Sequence, residues 1–381
     1  MNKSWEIKKL LEISNVSTGK WDANHAIDNG DYRFYTCAYD YLYCDTKRFS
    51  GECLILPGNG VNVGEVFYYN GEFDAYQRTY VLSDIKILPK YLHYHMMHFW
   101  KELGTKKQYG SATNFIKIGN FQEYNVAFPP VSEQKRIVKI LDEAFVPIDK
   151  AKANAEKNLQ NSRELFDSYL NKVFANLGKD WEEKKLADVC EVKDGTHDSP
   201  RYVNDEDAIS FITQKNILNS GLSFEKTNFI SKTNHDNFYR RSNVAYNDIL
   251  ISMIGANRGM ACVVDNRRTF SIKNVGLIKS NNSYLSEFML YFLKSKYAKQ
   301  YIQKSSKGSA QGFIGLGKLR NFPILLPHLS TQKKIVNRVS EILTETKKLE
   351  TIYQQKLADL DELKKSILQK AFDGELARNN G

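Results

Sequence analysis

The chain has 381 residues, 42% of them apolar, with 54 Lys and Arg against 44 Asp and Glu, a formal net charge of +10. That length accommodates two or three domains. No apolar run approaches the length that crosses a bilayer, and Met1-Asn2-Lys3-Ser4 leads into no apolar stretch of the signal-peptide kind, so a cytoplasmic protein is expected.

The five cysteines, Cys37, Cys44, Cys53, Cys190 and Cys262, are dispersed and form no Cys-x-x-Cys pair. Such a set fits reduced thiols rather than a disulfide framework or a zinc site. The charge is uneven. Residues 1–131 carry 14 basic and 14 acidic side chains, residues 132–176 carry 8 and 7, residues 177–329 carry 22 and 15, and residues 330–381 carry 10 and 8. A basic excess concentrated in one region points to a polyanion, most often nucleic acid.

The chain opens Trp5-Glu6-Ile7-Lys8-Lys9-Leu10-Leu11-Glu12-Ile13, then reaches a glycine turn, Ser17-Thr18-Gly19. Residues 53–57, 78–82 and 124–128 are short strand-like runs. Residues 90–103 read as a helix with Leu92, Met96, Phe99, Trp100 and Leu103 on its apolar side. Gly58-Asn59-Gly60-Val61-Asn62-Val63-Gly64 is rich in glycine, but no helical period follows it, so it reads as a turn in a β unit. Pro129-Pro130 stops the strand, and Ser132 is the expected N-cap of a long helix.

That helix is where a repeat becomes plain. Ser132-Glu133-Gln134-Lys135-Arg136-Ile137-Val138 returns as Ser330-Thr331-Gln332-Lys333-Lys334-Ile335-Val336, an ungapped offset of 198. The seam is expected to run through Ile137, Leu141, Ile148, Leu159, Leu165 and Tyr169 in the first copy. In the second it runs through Ile335, Val339, Ile342, Leu349, Leu357, Leu363 and Ile367. The steps are mostly 4-3-4-3, the spacing of a coiled coil. Both copies carry an extra four-residue step at the same place, Ala151–Ala155–Leu159 and Leu349–Tyr353–Leu357, a stutter. Each helix would be about 65–70 Å long, and with so narrow an apolar stripe it needs a partner. The economical partner is the other copy, giving an antiparallel coiled coil within one chain. Pro147 predicts a kink in the first helix.

The repeat extends beyond the helices. Trp181-Glu182-Glu183-Lys184-Lys185-Leu186 echoes the opening, and Lys193-Asp194-Gly195 supplies the second glycine turn. Strand-like runs follow at 208–213, 248–254 and 322–326, and 284–304 reads as helical. Gly308-Ser309-Ala310-Gln311-Gly312-Phe313-Ile314 matches Gly110-Ser111-Ala112-Thr113-Asn114-Phe115-Ile116. The middles of the two units diverge. The fold class is therefore α+β: two similar, mainly β units, each followed by a long helix. The expected segments are 1–131, 132–176, 177–329 and 330–381.

With these features the chain resembles the specificity subunit of a type I restriction-modification enzyme. The Pro-x-x-Ser-x-Gln-x-x-Ile-Val helix opening and the ending Ala371-Phe372-Asp373-Gly374-Glu375-Leu376 are similar to that family's motifs. The first copy departs from it, ending Val173-Phe174-Ala175-Asn176-Leu177, and its globular unit is neutral. The resemblance implies that the globular units are target recognition domains, each reading one half of a split double-stranded DNA site. It implies that the helices act as a spacer and dock two methyltransferase subunits. Those would carry S-adenosylmethionine and methylate adenine at N6; two restriction subunits could join them. No cofactor is expected on this chain.

Loops rich in basic and amide groups are the expected DNA contacts. In the first unit these are Thr18, Lys20, Arg78, Lys106, Lys107, Tyr109, Ser111, Thr113 and Asn114. In the second they are Thr196, His197, Arg201, Gln214, Lys215, Asn257, Arg258, Lys304, Lys307 and Gln311. For any one of them a solvated surface role is as good a reading, and the loops as groups carry the expectation.

Catalytic motifs are missing from the sequence. It has no Asn/Asp-Pro-Pro-Tyr for a flipped adenine and no Gly-x-x-x-x-Gly-Lys-Ser/Thr phosphate loop. His93, His95 and His98 lie close together in sequence, but no cysteine or carboxylate pattern completes a metal site. The chain is read as non-catalytic. Its rivals are a stand-alone nuclease or methyltransferase, and a two-module scaffold that binds protein or glycan.

Overall fold

The computed structural model describes residues 5–109, 114–255, 257–280, 282–305 and 313–373. The chain divides into two compact units, Met1–Glu156 with Gln354–Gly381, and Lys157–Tyr353. Each unit holds one globular module and half of each long helix. The expected four segments placed the helices apart from the modules. The units cut through them instead, because each helix end buries its apolar side in a module's core.

The first module is built on the central strand Glu52–Pro57, buried from Cys53 onward. Its side chains alternate between two faces. Leu54 and Leu56 enter the main core under helix Pro89–Phe99, beside Tyr91, Trp100 and Phe121. Cys53 and Ile55 face a smaller aromatic cluster with Tyr35, Phe49 and Phe73. A strand covered on both sides needs a continuous apolar run, and Cys-Leu-Ile-Leu supplies it. This strand lies in an antiparallel sheet of order Asn15–Thr18, Thr79–Ser83, Glu52–Pro57, Phe67–Asn70. A second sheet is ordered Leu42–Cys44, Tyr32–Tyr35, Phe73–Ala75, the last pair parallel. The opening strand Glu6–Lys9 pairs with Asn125–Phe128, just before the long helix.

The second module repeats this plan through the stretch where the sequences diverge. Its four-stranded sheet is ordered Glu191–Asp194, Val275–Lys279, Ile249–Ser252, Ala261–Val263. Its three-stranded sheet is ordered Asn228–Ile230, Ile209–Ile212, Phe270–Ile272, again with one parallel pair. Glu182–Lys185 pairs with Pro323–Leu326. Two additions are its own: the hairpin Ile217–Leu218 with Gly221–Leu222, and the helix Lys232–Ser242. Ser231 caps that helix, its hydroxyl accepting from Asn234 N, and Asn243 ends it in the left-handed conformation.

The long helices run Val131–Ala175 and Leu329–Phe372, and the first continues through Pro147. Ser132 and Ser330 lie inside the first turns rather than capping them. The first helical bonds are instead accepted by the carbonyls of Pro130 and His328. The motif glutamine secures each entry: Gln134 Nε2 donates to Pro129 O and Gln332 Nε2 to Pro327 O, both at 2.8 Å.

The helix pairing is antiparallel in each unit. In the first, Lys152 pairs with Asp361 at 2.8 Å, and Lys364 with Asp149. In the second, Arg163 lies 3.7 Å from Glu350. Ile137, Leu141 and Ile148 are buried with Leu368, Ala371 and Phe372, and Ile367 packs against them. In the second unit Val339 is buried with Leu170 and Phe174, with Tyr169 and Ile335 alongside. Ile342 is buried as well.

The expected seam fails at matched positions. Leu165 and Leu363 are 51% and 46% exposed, and Leu349 is exposed too. Leu159 and Leu357 are only half-buried. Towards each C-terminus the inward row becomes Ser162, Phe166, Leu170, Phe174 and Leu360, Lys364, Leu368, Phe372, in steps of four. The heptad spacing does not hold to the helix ends. At its end each helix lies on a module, and the broader face of a 3.6-residue helix takes over from the narrow seam. Phe174 packs on Phe288 and Phe292 of the second module. Phe372 packs on Tyr91 and His95 of the first.

Candidate DNA interface

In both modules the first strand of the four-stranded sheet ends in a glycine whose backbone presses on the neighbouring parallel strand. A Cβ on Gly19 would lie 1.6 Å from Ala75 O, and one on Gly195 would lie 2.1 Å from Ile272 O. No side chain fits either place. The chain therefore turns at a matched place in both modules, with one more residue in the first before it bridges the parallel strand: Trp21 meets Tyr76 where Thr196 meets Lys273.

In the first module this turn borders a surface cleft of about 430 Å³ lined by Lys20, Trp21, Asp22, Asn24, His25 and Gln77. Trp21 is 43% exposed, stacked on His25 with ring centroids 4.1 Å apart. Its Nε1 donates to Asp74 Oδ2 at 3.1 Å, and Thr46 Oγ1 donates to the same oxygen at 2.7 Å. His25 Nε2 lies 2.8 Å from that hydroxyl. Asp74 is buried, so its charge is met entirely by these neighbours and by the Ala75 amide.

Several expected contacts gather here. Lys20 and Arg78 are exposed, and Thr18 is half-buried in its strand. Arg78 O accepts from Gly58 N at 2.9 Å, and Gly58 O accepts from Ile116 N at 2.9 Å. Gly60 N donates to Asn114 O. The glycine-rich turn thus joins the Arg78 corner to the loop that carries Lys106 to Asn114. Lys107 is engaged by Glu123 at 2.9 Å, which raises its pKa. Lys117 lies 4.3 Å from the Tyr109 ring centroid. Lys106 is exposed, and Ser111 and Thr113 lie outside the described residues.

In the second module the equivalent turn carries Thr196 and His197. Thr196 is buried and its hydroxyl is tied to Asp198, bonding both the carboxylate and the backbone amide. Its hydroxyl is engaged locally in forming the turn. His197 is half-exposed and held from two sides: Nε2 is 3.1 Å from Asp194 Oδ2 and Nδ1 is 2.6 Å from Asn274 Oδ1. Arg241, from the added helix, grips the other oxygen of Asp194 at 2.6 Å.

Lys273 N donates to Ile212 O and Asn274 N to Thr196 O. These bonds bring Thr213, Gln214 and Lys215 to the same corner as His197. Gln214 is half-buried and Lys215 exposed. Ser252 pairs with Val275, so the turn holding Asn257 and Arg258 leaves the sheet beside Asn274. That turn meets helix Lys296–Ser305, where Gly259 faces Ile302 and Lys304 is exposed. Arg201 is exposed in the segment after His197. Lys307 and Gln311 lie outside the described residues.

The sequence did not reveal Trp21, His25 and Gln77, nor Arg241, Lys273 and Asn274. A signal existed for the first: Trp21 and His197 each stand two residues after the turn glycine. Arg241 had none, because only the tertiary fold brings it to Asp194. The histidines of helix Pro89–Phe99 serve the core. His95 Nδ1 is 3.2 Å from the Tyr124 hydroxyl and His93 Nε2 is 3.1 Å from Val66 O. Burial pushes the Cys53 and Cys190 thiols up to about 11 and Cys262 to about 12, which keeps them unreactive.

The duplicated fold coincides with a duplicated family match. The type I restriction modification DNA specificity domain matches residues 2–158 and again 178–358. The chain belongs to this family. It is 26% identical to the EcoDI type I restriction enzyme specificity subunit of Escherichia coli, covering 98% of this chain and 88% of that one. The MjaVIII specificity subunit of Methanocaldococcus jannaschii is 22% identical, with 86% and 80% covered. Among solved structures, a chain from a study of type I R-M complex assembly and conformational transition superposes with a TM-score of 0.71 at 16% identity, covering 98% of both chains. These relatives are specificity subunits of restriction enzymes, and the non-catalytic reading of this chain rests on that membership. No helix among the described residues is long and apolar enough to cross a membrane.

Proposed function

We propose that this specificity subunit reads a bipartite duplex target, one half with each module, and positions two methyltransferase subunits for N6 methylation of adenine. The observation that carries the proposal is the same turn built twice with different side chains: Lys20, Trp21, Gln77 and Arg78 in one module, His197, Gln214, Lys215 and Asn274 in the other. One scaffold with two chemistries suits two different half-sites. Lysines and arginines of these corners would hold phosphates, and the amide and ring side chains would face base edges. The long helices would set the gap between half-sites. S-adenosylmethionine would be bound by the methyltransferase subunits in the cytoplasm, and restriction subunits would join where the system encodes them.

The test is a map of modified adenines in cells expressing this chain with its cognate methyltransferase, against cells lacking this chain. Methylation at two short specific halves around a fixed gap is expected. Methylation at a single contiguous half would mean that one module does not read DNA. No chain-dependent methylation, with the methyltransferase shown to be present, would favour a scaffold that binds protein or glycan.

A further inference from the structure

Trp21 and His197 each stand two residues beyond the glycine that fixes the turn, although the first module has one more residue there: Trp21 bridges Tyr76 as Thr196 bridges Lys273. Each ring is anchored by a buried carboxylate, yet the two carboxylates come from different strands. Asp74 lies in Phe73–Ala75 and Asp194 in Glu191–Asp194. Different residues have thus reached a similar result, a half-exposed ring held on a buried carboxylate just after the turn glycine. Holding a surface ring on a buried charge is an expensive way to build a turn. It is a reasonable way to build a fixed contact surface, because little side-chain entropy remains to be lost on binding.

The polar atoms of both rings are already spent. Trp21 has one ring N–H, and Asp74 takes it. Both nitrogens of His197 are bonded within the module. What the rings offer outward is carbon. The underside of Trp21 is covered by His25, so its free face and edge are what remain.

We infer that Trp21 and His197 are the specificity-determining side chains of their respective half-sites, acting through apolar contact with a base rather than through hydrogen bonds. The inference rests on the bipartite reading proposed above. Apolar contact discriminates by shape and by the thymine methyl group. It also explains how a module with no net charge can still select a sequence. Phosphate contacts raise affinity without carrying sequence information, so they need not be equal in the two modules.

The experiment uses the full chain assembled with its methyltransferase and maps methylated adenines for wild type, Trp21→Ala, Trp21→Phe, His197→Ala and His197→Gln. Trp21→Ala should relax base selection within one half by about tenfold at one or two positions, the range expected for losing one base contact. The other half should be read unchanged, which also shows that the complex still assembles. His197→Ala should relax the opposite half and leave the first intact. Trp21→Phe keeps a ring without the indole N–H and should lie between wild type and Trp21→Ala. The slope of log affinity against log salt should stay at the wild-type value in the Trp21 variants, because no phosphate contact is removed.

Unchanged base preference in Trp21→Ala and His197→Ala, with wild type reading a split motif, would overturn this inference and leave the proposed function standing. So would relaxation of the same half by both, or a shallower salt slope in Trp21→Ala. Should the alanine variants lose methylation altogether, Trp21→Phe and His197→Gln decide: wild-type selectivity in both overturns the inference, and relaxation confined to separate halves upholds it. If wild type reads no split motif, the bipartite reading fails and takes the inference with it.

Discussion

The two modules share strand order, parallel pairing and glycine turn, yet they differ in nearly everything presented at the surface. The first is neutral, with an aromatic second sheet in which Arg33 lies 4.2 Å from the Tyr41 ring centroid and 4.3 Å from that of Tyr69. The second holds the basic excess and adds a hairpin and the helix Lys232–Ser242. The difference reaches the interior. Asp248 and Lys279 form a pair at 2.8 Å in the second module. Their places in the first module's sheet are taken by Cys53 and Ser83, as the strand registers show. His95 packs on Phe372 at 5.5 Å where the second module sets Phe292 on Phe174 at 5.3 Å. A topology can therefore persist while its buried polar groups change, provided each such group finds a partner locally. That freedom lets one scaffold carry two recognition surfaces.

The largest expected effect tests what the modules have in common. Leu141 and Val339 are fully buried where each helix begins to lie on its module. Leu141→Asp or Val339→Asp should cost about 4–5 kcal/mol and prevent soluble assembly, since a charge would enter an apolar core. Thermal melting and gel filtration would show this. A small effect for one and a large one for the other would mean that the modules do not depend equally on their helices.

The next tests a difference, through pH. Burial, with the His98 charge nearby, lowers the His95 pKa to about 3. The folded state holds this ring neutral, so its pKa is depressed relative to the unfolded chain. Its contribution is complete above about pH 6.5 and is lost as pH falls from there towards 3. The loss amounts to roughly 5 kcal/mol at most. Hydrogen exchange between pH 7 and 4 should show the first module opening before the second, which has Phe292 in the equivalent contact. His95→Phe should remove about half of that pH dependence, the remainder coming from His93, whose pKa burial lowers to about 4. If opening follows the same pH course in both modules, His95 is not the cause.

Asp248→Ala should cost about 3 kcal/mol by leaving the Lys279 ammonium unpaired, and hydrogen exchange should confine the loss to the second module. The double replacement Asp248→Cys with Lys279→Ser copies the first module's residues and should recover part of it. The smallest effect is expected from Leu165→Glu and Leu363→Glu, the exposed positions of the expected seam. Each should change stability by less than about 0.5 kcal/mol in thermal melts. A loss like that of Leu141→Asp would restore the heptad seam through the helix ends.

The sequence by itself determined the duplication, the long helices and their antiparallel pairing. It could do so because these depend on local periodicity and on a repeat that aligns without a gap. The paired glycine turns were legible for the same reason. Tertiary structure decided the rest. It showed that divergent middles share one sheet order, because strand pairing depends on distant partners and tolerates many side chains. It moved the seam by one residue at Leu165 and Leu363, because a helix end answers to the module beneath it and not to its own period. It also brought Arg241 to Asp194 and Trp21 to Asp74, contacts 47 and 53 residues apart in the chain. No spacing rule reaches that far, since such pairs are selected by the packing of whole elements rather than by any local pattern.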